Sequence, residues 1–132
     1  MADLQWWETA VIYQIYPRSF QDTNGDGIGD LLGIKSRLEY ISNLGVDAIW
    51  ISPFFKSPQK DFGYDVSDYY KINPEYGLLT DFDDLLKRAH ELGLKVIADE
   101  NSSRKWFGLP CAANPVTFPS CLSGIKPRSF VM

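Results

Sequence analysis

The sequence holds one histidine and two cysteines among its 132 residues. The single histidine, His90, falls on a helical stretch but off its apolar stripe, where an exposed helix residue is expected. That removes Ser-His-Asp, Cys-His and multi-histidine metal chemistry. Cys111 and Cys121 could pair or stay free, and a cytoplasmic chain favours the reduced state. No apolar run approaches the ~20 residues that span a bilayer, so no membrane partner is expected. The opening MADLQWWET has neither the basic start nor the apolar core of a signal peptide, which predicts a cytoplasmic location. A basic excess is missing too. Thirteen Lys and Arg against seventeen Asp and Glu leave a net charge of −4, and a nucleic-acid partner would need a basic face. What remains, 45% hydrophobic and 23% charged, is the makeup of one soluble globular domain.

A second absence divides the chain. Residues 101–132 contain no acid, only Arg104, Lys105, Lys126 and Arg128, together with both cysteines and half of the eight prolines. All seventeen acids lie in residues 1–100. The expected organisation is therefore a folding unit over 1–100 and a compositionally foreign, irregular tail over 101–132, with 108–132 lacking regular structure.

Within the first hundred residues the periodicities alternate. Ala10 to Pro17 (AVIYQIYP) is a continuous β-branched and aromatic run, a buried strand. Leu31, Ile34, Leu38 and Ile41 recur at helical spacing, with Asp30 as N-cap and Gly45 as stop. Val46 to Pro53 (VDAIWISP) is a second strand. After a loop from Phe54 to Leu79, Thr80 opens a second helix with Asp83 as an approximate capping box. Its stripe is Phe82, Leu85, Leu86, Ala89 and Leu92, and Leu94 to Ala98 is a third strand. Strands joined by helical crossovers should be parallel, which makes the chain α/β, either a barrel or a doubly wound sheet. Both architectures place chemistry at the C-terminal ends of the strands.

Two loops there carry candidate chemistry. Asp22, Asn24, Asp26 and Asp30 alternate with small residues in DTNGDGIGD, and hard cations need several oxygens converging on a curled loop. The first three fill positions 1, 3 and 5 of an EF-hand-like opening, with Gly27 at position 6, although Gly33 stands where a bidentate Glu would be. Ile28 could add its carbonyl. The same residues would also serve as a plain Asp/Gly turn closed by a helix N-cap; the strict i, i+2 spacing of oxygens favours the metal. The second loop contains KDFGYD, where Tyr64 and Asp61 offer an aromatic face beside a carboxylate, the pair a sugar site wants. Taken bare, such an aromatic loop more often packs on its own barrel than forms a site.

Taken together, WWETAVIYQIYPRSFQDTNGDGIGDLLGI, GVDAIWISPFFKSP, KDFGYDVSDYYKINPEYG and DFDDLLKRAHELGLKVIAD resemble the start of the α-amylase superfamily of glycoside hydrolases (glycoside hydrolase family 13) over about residues 5–99. The resemblance is nearest to the bacterial α-glucosidase and oligo-1,6-glucosidase branch. It implies the first three βα units of a (β/α)8 TIM barrel, truncated before the rest. It also implies calcium, with magnesium as the alternative, on Asp22, Asn24, Asp26, the Ile28 carbonyl and Asp30. Asp61 and Tyr64 would grip a non-reducing glucose of a short α-linked oligosaccharide, and Asp99 would open the motif that orders the cleft.

After Asp99 the sequence departs from the family. It reads ENSSRKWF where an apolar stretch and a histidine would follow, and residues 101–132 match no family segment we recognise. The family's catalytic carboxylates have no counterpart, so no catalytic residue is assigned. The expected function is that of an N-terminal fragment of an α-glucosidase, inactive by itself. The alternatives are a non-catalytic sugar- or calcium-binding module, or a nonfunctional frameshifted product. Two exposed barrel edges would favour self-association or a molten state. Of the strand residues, Ile12, Ile15, Ile49, Ile51 and Val96 supply the candidates for an exposed interior face.

Overall fold

A computed structural model describes residues 4–99 and 129–131. In chain order the elements are α1 (Trp6–Thr9), β1 (Ile12–Ile15), α2 (Pro17–Phe20), α3 (Leu31–Asn43), β2 (Ala48–Ile51), β3 (Phe55–Lys56), β4 (Asp68–Ile72), α4 (Leu79–Glu91), β5 (Lys95–Asp99) and β6 (Ser129–Val131). The main sheet has the order β1-β2-β5-β6. The pairs β1–β2 and β2–β5 are parallel, with Ile12 opposite Ala48 and Ala48 opposite Lys95. The helices α3 and α4 make the crossovers, as an α/β chain requires.

Each expected strand is present: the first two are shorter than expected, and the third keeps its length but runs one residue later, over Lys95–Asp99. Pro17 fixes its own φ and opens α2, which ends the first strand at Ile15. α3 begins where Asp30 caps it: the Asp30 Oδ1 accepts the Gly33 N–H at 2.6 Å. α4 is capped differently from the expected Thr80–Asp83 arrangement. Leu78 is the N-cap residue, and its N–H donates to the Asp81 carboxylate at 2.7 Å. The stretch from Phe54 to Leu79 is not all loop, because β3 and β4 pair antiparallel within it.

The two faces of the sheet have different fates. Ile15, Ile49, Ile51, Val96 and Ala98 point to the helices and join Leu31, Ile34, Leu38 and Ile41 of α3 and Phe82, Leu85 and Ala89 of α4 in one buried core. Four of the five residues expected among the exposed interior candidates are therefore buried, because strand alternation puts them on the helix side. Ile12 alone of the five lies open, 40% exposed. It shares the other face with Gln14 and, by register, Ala48, Trp50, Lys95 and Ile97. At the N-terminal end of the sheet the Lys95 ammonium sits over the Trp6 ring, 5.2 Å from its centroid.

The expectation of an irregular tail is corrected at its last described residues. Ser129–Val131 form β6, antiparallel to β5. Cys111 and Cys121 lie outside the described residues. Among the described residues, no helix is long and apolar enough to cross a membrane.

Candidate functional site

Both candidate loops stand at the C-terminal ends of the parallel strands. The loop after β1 is wound by its own side chains. Asp22 accepts the N–H groups of Asn24 (3.0 Å), Gly25 (2.8 Å) and Gly27 (2.8 Å). Asn24 Oδ1 accepts the Asp26 N–H and Asp26 Oδ1 accepts the Ile28 N–H, at 2.9 and 2.8 Å. These are side-chain-closed turns that bend the backbone tightly, with Gly25 and Gly27 at φ +80° and +85°. The amides of Gly27 and Gly25, in that order, hold the Asp22 carboxyl below its usual range.

Asp30 ties this loop to the helix. Besides capping α3, it accepts the Thr23 N–H and hydroxyl at 2.9 and 2.7 Å through Oδ2. Among the described residues, no three His, Cys, Asp or Glu side chains form a group that could hold a metal. In this conformation, Asp22, Asp26 and Asp30 therefore do not converge. The donor chemistry still suits a hard cation. A carboxylate has about four acceptor sites, and these bonds use one of them on Asp26 and three each on Asp22 and Asp30.

The second site is assembled around Asp99, the last residue of β5. It is only 2% exposed. The Tyr64 hydroxyl donates to Asp99 Oδ2 at 2.8 Å, joining the loop after β2 to the end of β5. Tyr64 is itself 37% exposed, so its ring shows a face to solvent while its tip is held. Asp61 is joined to Tyr64 by a tight turn of the backbone. Its carbonyl accepts the Tyr64 N–H at 2.8 Å, and Phe62 and Gly63 between them have φ +51° and +94°. Two successive left-handed residues are the mark of a type I′ turn, which Gly63 accommodates and Phe62 adopts at a cost. The Asp61 side chain is exposed.

Sequence reasoning passed over Asp65. Its carboxylate accepts the Ser57 hydroxyl at 2.6 Å and the Lys60 N–H at 2.9 Å, clamping the base of the loop. The Ser57 bond is the first cause that lowers its pKa. The signal was available, since an Asp directly after an aromatic turn and a few residues past a Ser-Pro has nearby donors to collect. The reading that loop aromatics pack inward holds for Phe54, fully buried, but not for Phe62.

The sequence matches the family described as "Alpha amylase, catalytic domain" over residues 14–102. It is 67% identical over 97 residues to a protein named "Probable alpha-glucosidase" from Rhizobium meliloti (strain 1021), covering 74% of this chain and 18% of that protein. It is 55% identical over 137 residues to an "Alpha-glucosidase" from Culex pipiens, covering 96% of this chain and 24% of that protein. The second alignment runs well past residue 102, into the stretch where no family segment was recognised. Among solved structures, an alpha-glucosyl transfer enzyme, XgtA, superposes with a TM-score of 0.72 at 68% identity, covering 74% of this chain and 18% of that one. The chain thus spans about a fifth of the length of the relatives it matches. With a match over more than half of its residues, carried on a parallel sheet whose strand ends hold both loops, the chain belongs to the alpha-amylase catalytic domain family.

Proposed function

We propose that this chain is the N-terminal part of an α-glucosidase hydrolysing α-glucosidic bonds in short oligosaccharides, with residues 1–100 supplying the first three βα units of a (β/α)8 barrel and 101–132 a tail whose last strand, β6, adds to the same sheet. The observation that carries the reading is the Tyr64–Asp99 hydrogen bond at the strand ends, with the exposed Asp61 three residues before Tyr64 on the same tight turn. A ring with its hydroxyl anchored presents a fixed apolar face for a sugar, and Asp61 offers an acceptor to its hydroxyl rim. Hydrolysis with retention needs two carboxylates about 5–5.5 Å apart across the bond. Neither Asp61 nor Asp99 is assigned to that pair, so this chain alone binds and does not cleave. The expected result is weak heat of glucose or maltose binding, with a Kd of about 1 mM or above. Tyr64→Ala and Asp61→Asn should abolish it, and purified protein should release no p-nitrophenol from the α-glucoside. Unchanged binding in both variants, or release that Asp61→Asn abolishes, would overturn the reading.

We further propose that the loop over 22–30 takes one calcium ion, or magnesium in its place, through Asp22, Asn24, Asp26, Asp30 and the Ile28 carbonyl. The support is an all-oxygen donor set on a loop already curled by its own turns. Calcium would supply charge to draw the three carboxylates together and so order the start of α3. Calcium should raise the melting temperature of the native sequence and leave Asp26→Ala unmoved. If both respond alike, the loop is a turn and nothing more.

A further inference from the structure

The edge of the main sheet beyond β5 raises a separate question, independent of the sugar reading. Val96 to Asp99 are buried, and the strand is apolar except at its ends. An apolar strand of that kind, left at an edge, offers a row of unpaired N–H and C=O groups to any other strand. In this chain the row is taken. Ser129–Val131 lie antiparallel along it, with Asp99 opposite Ser129, Ala98 opposite Phe130 and Ile97 opposite Val131. The sheet therefore ends in a three-residue strand in place of a five-residue one, and short edge strands are poor templates for pairing.

The opposite edge is built differently. Among the described residues no strand pairs with the outer side of β1. Beside it, Val11 and Ile12 are both exposed hydrophobics. With both edges open, β1 of one copy could pair with β5 of the next, a head-to-tail contact that repeats without limit. With β5 covered by the shorter β6, the longer open edge is β1, and its contact with β1 of a second copy is self-complementary and closes at two.

We propose that residues 129–131 are an edge cap: they occupy the outer hydrogen-bonding row of β5, block addition of a second copy there, and confine self-association to the β1 edge. The full chain is compared with Phe130→Pro, which removes a backbone donor from the cap, and with a deletion of 129–132. Light scattering across a concentration series should show nothing larger than a dimer for the full chain, and larger species growing with concentration for both variants. In the full chain, the β5 amides not bonded to β2 should exchange hydrogen at least about tenfold more slowly than in either variant held dilute. Open-ended association of the full chain, or equal size distributions for all three proteins, would overturn the cap. Should both variants lose their circular dichroism, the full chain decides alone: slow exchange at those amides supports the cap and fast exchange refutes it.

Discussion

Phe54→Ala should lower folding stability by about 3–5 kcal/mol, the usual loss for a fully buried phenylalanine. Phe54 has no solvent exposure. Its ring stacks on Phe55 at 4.7 Å and on Phe82 of α4 at 4.9 Å, so one side chain joins the loop after β2 to the helix that follows. Its backbone carbonyl also accepts the Asn73 N–H at 2.9 Å, a bond the substitution leaves in place. The loss should therefore come from the cavity and the missing ring contacts. Phe62, 72% exposed in the same loop, is the matched control. Phe62→Ala should shift stability by no more than about 0.5 kcal/mol. Urea titration of both variants checks the pair, and a loss under about 1 kcal/mol for Phe54→Ala would mean that the stack carries little.

Gly33→Ala should destabilise by about 2 kcal/mol or more, although glycine to alanine inside a helix ordinarily stabilises by about 0.5–1 kcal/mol. The sign reverses because the first turn of α3 lies hard against the strand-one loop. A Cβ on Gly33 would collide with the carbonyl oxygen of Gln21, and a Cβ on Gly29 with the carbonyl oxygen of Pro17. Both obstacles are backbone, which cannot swing aside as a long side chain can. Gly25 has nothing within 4 Å of its Cβ position, so Gly25→Ala should show only the smaller strain of φ +80°. Thermal melts of the three variants should rank Gly33→Ala and Gly29→Ala together, below Gly25→Ala. A stabilised Gly33→Ala would refute the close approach.

The strands and long helices were legible because their residues obey simple periods. Leu31, Ile34, Leu38 and Ile41 are all fully buried, as their spacing requires, and Asp30 caps α3 as read. The ends were less legible. Pro17 looked like the close of a strand, but φ near −65° suits the first turn of a helix equally well, and here it opens α2. The β3–β4 pair escaped notice because two residues facing five leave no alternation to count. Which face of each strand met the helices could not be decided either. In a fully apolar strand such as VIA the pattern is the same on both sides, and only the crossover helices distinguish them.

At the site, residue types were readable and partnerships were not. KDFGYD suggested an aromatic beside a carboxylate, yet the carboxylate that Tyr64 holds is Asp99, on another strand thirty-five positions away. Nothing local to either residue encodes that bond. Asp30 likewise reads as a ligand or a cap from sequence. The structure shows it bonding to Gly33 and Thr23 at once, a division of one carboxylate that spacing alone does not specify.

The order of the sheet has a bearing on how the chain assembles in time. β1, β2 and β5 are neighbours in space in the same order in which they occur along the chain. A ribosome releasing the sequence from its N-terminus would thus present each parallel strand only after the one it docks on, with its crossover helix already emerged. Every addition still closes a long stretch of chain, from Ile12 to Ala48 and then from Ala48 to Lys95, so each step is slow compared with the winding of either helix. Between steps the newest strand waits with a bare flank. The interval most exposed to mispairing falls after β5 has docked and before Ser129–Val131 have left the ribosome, and slowing synthesis across residues 100–128 would lengthen it.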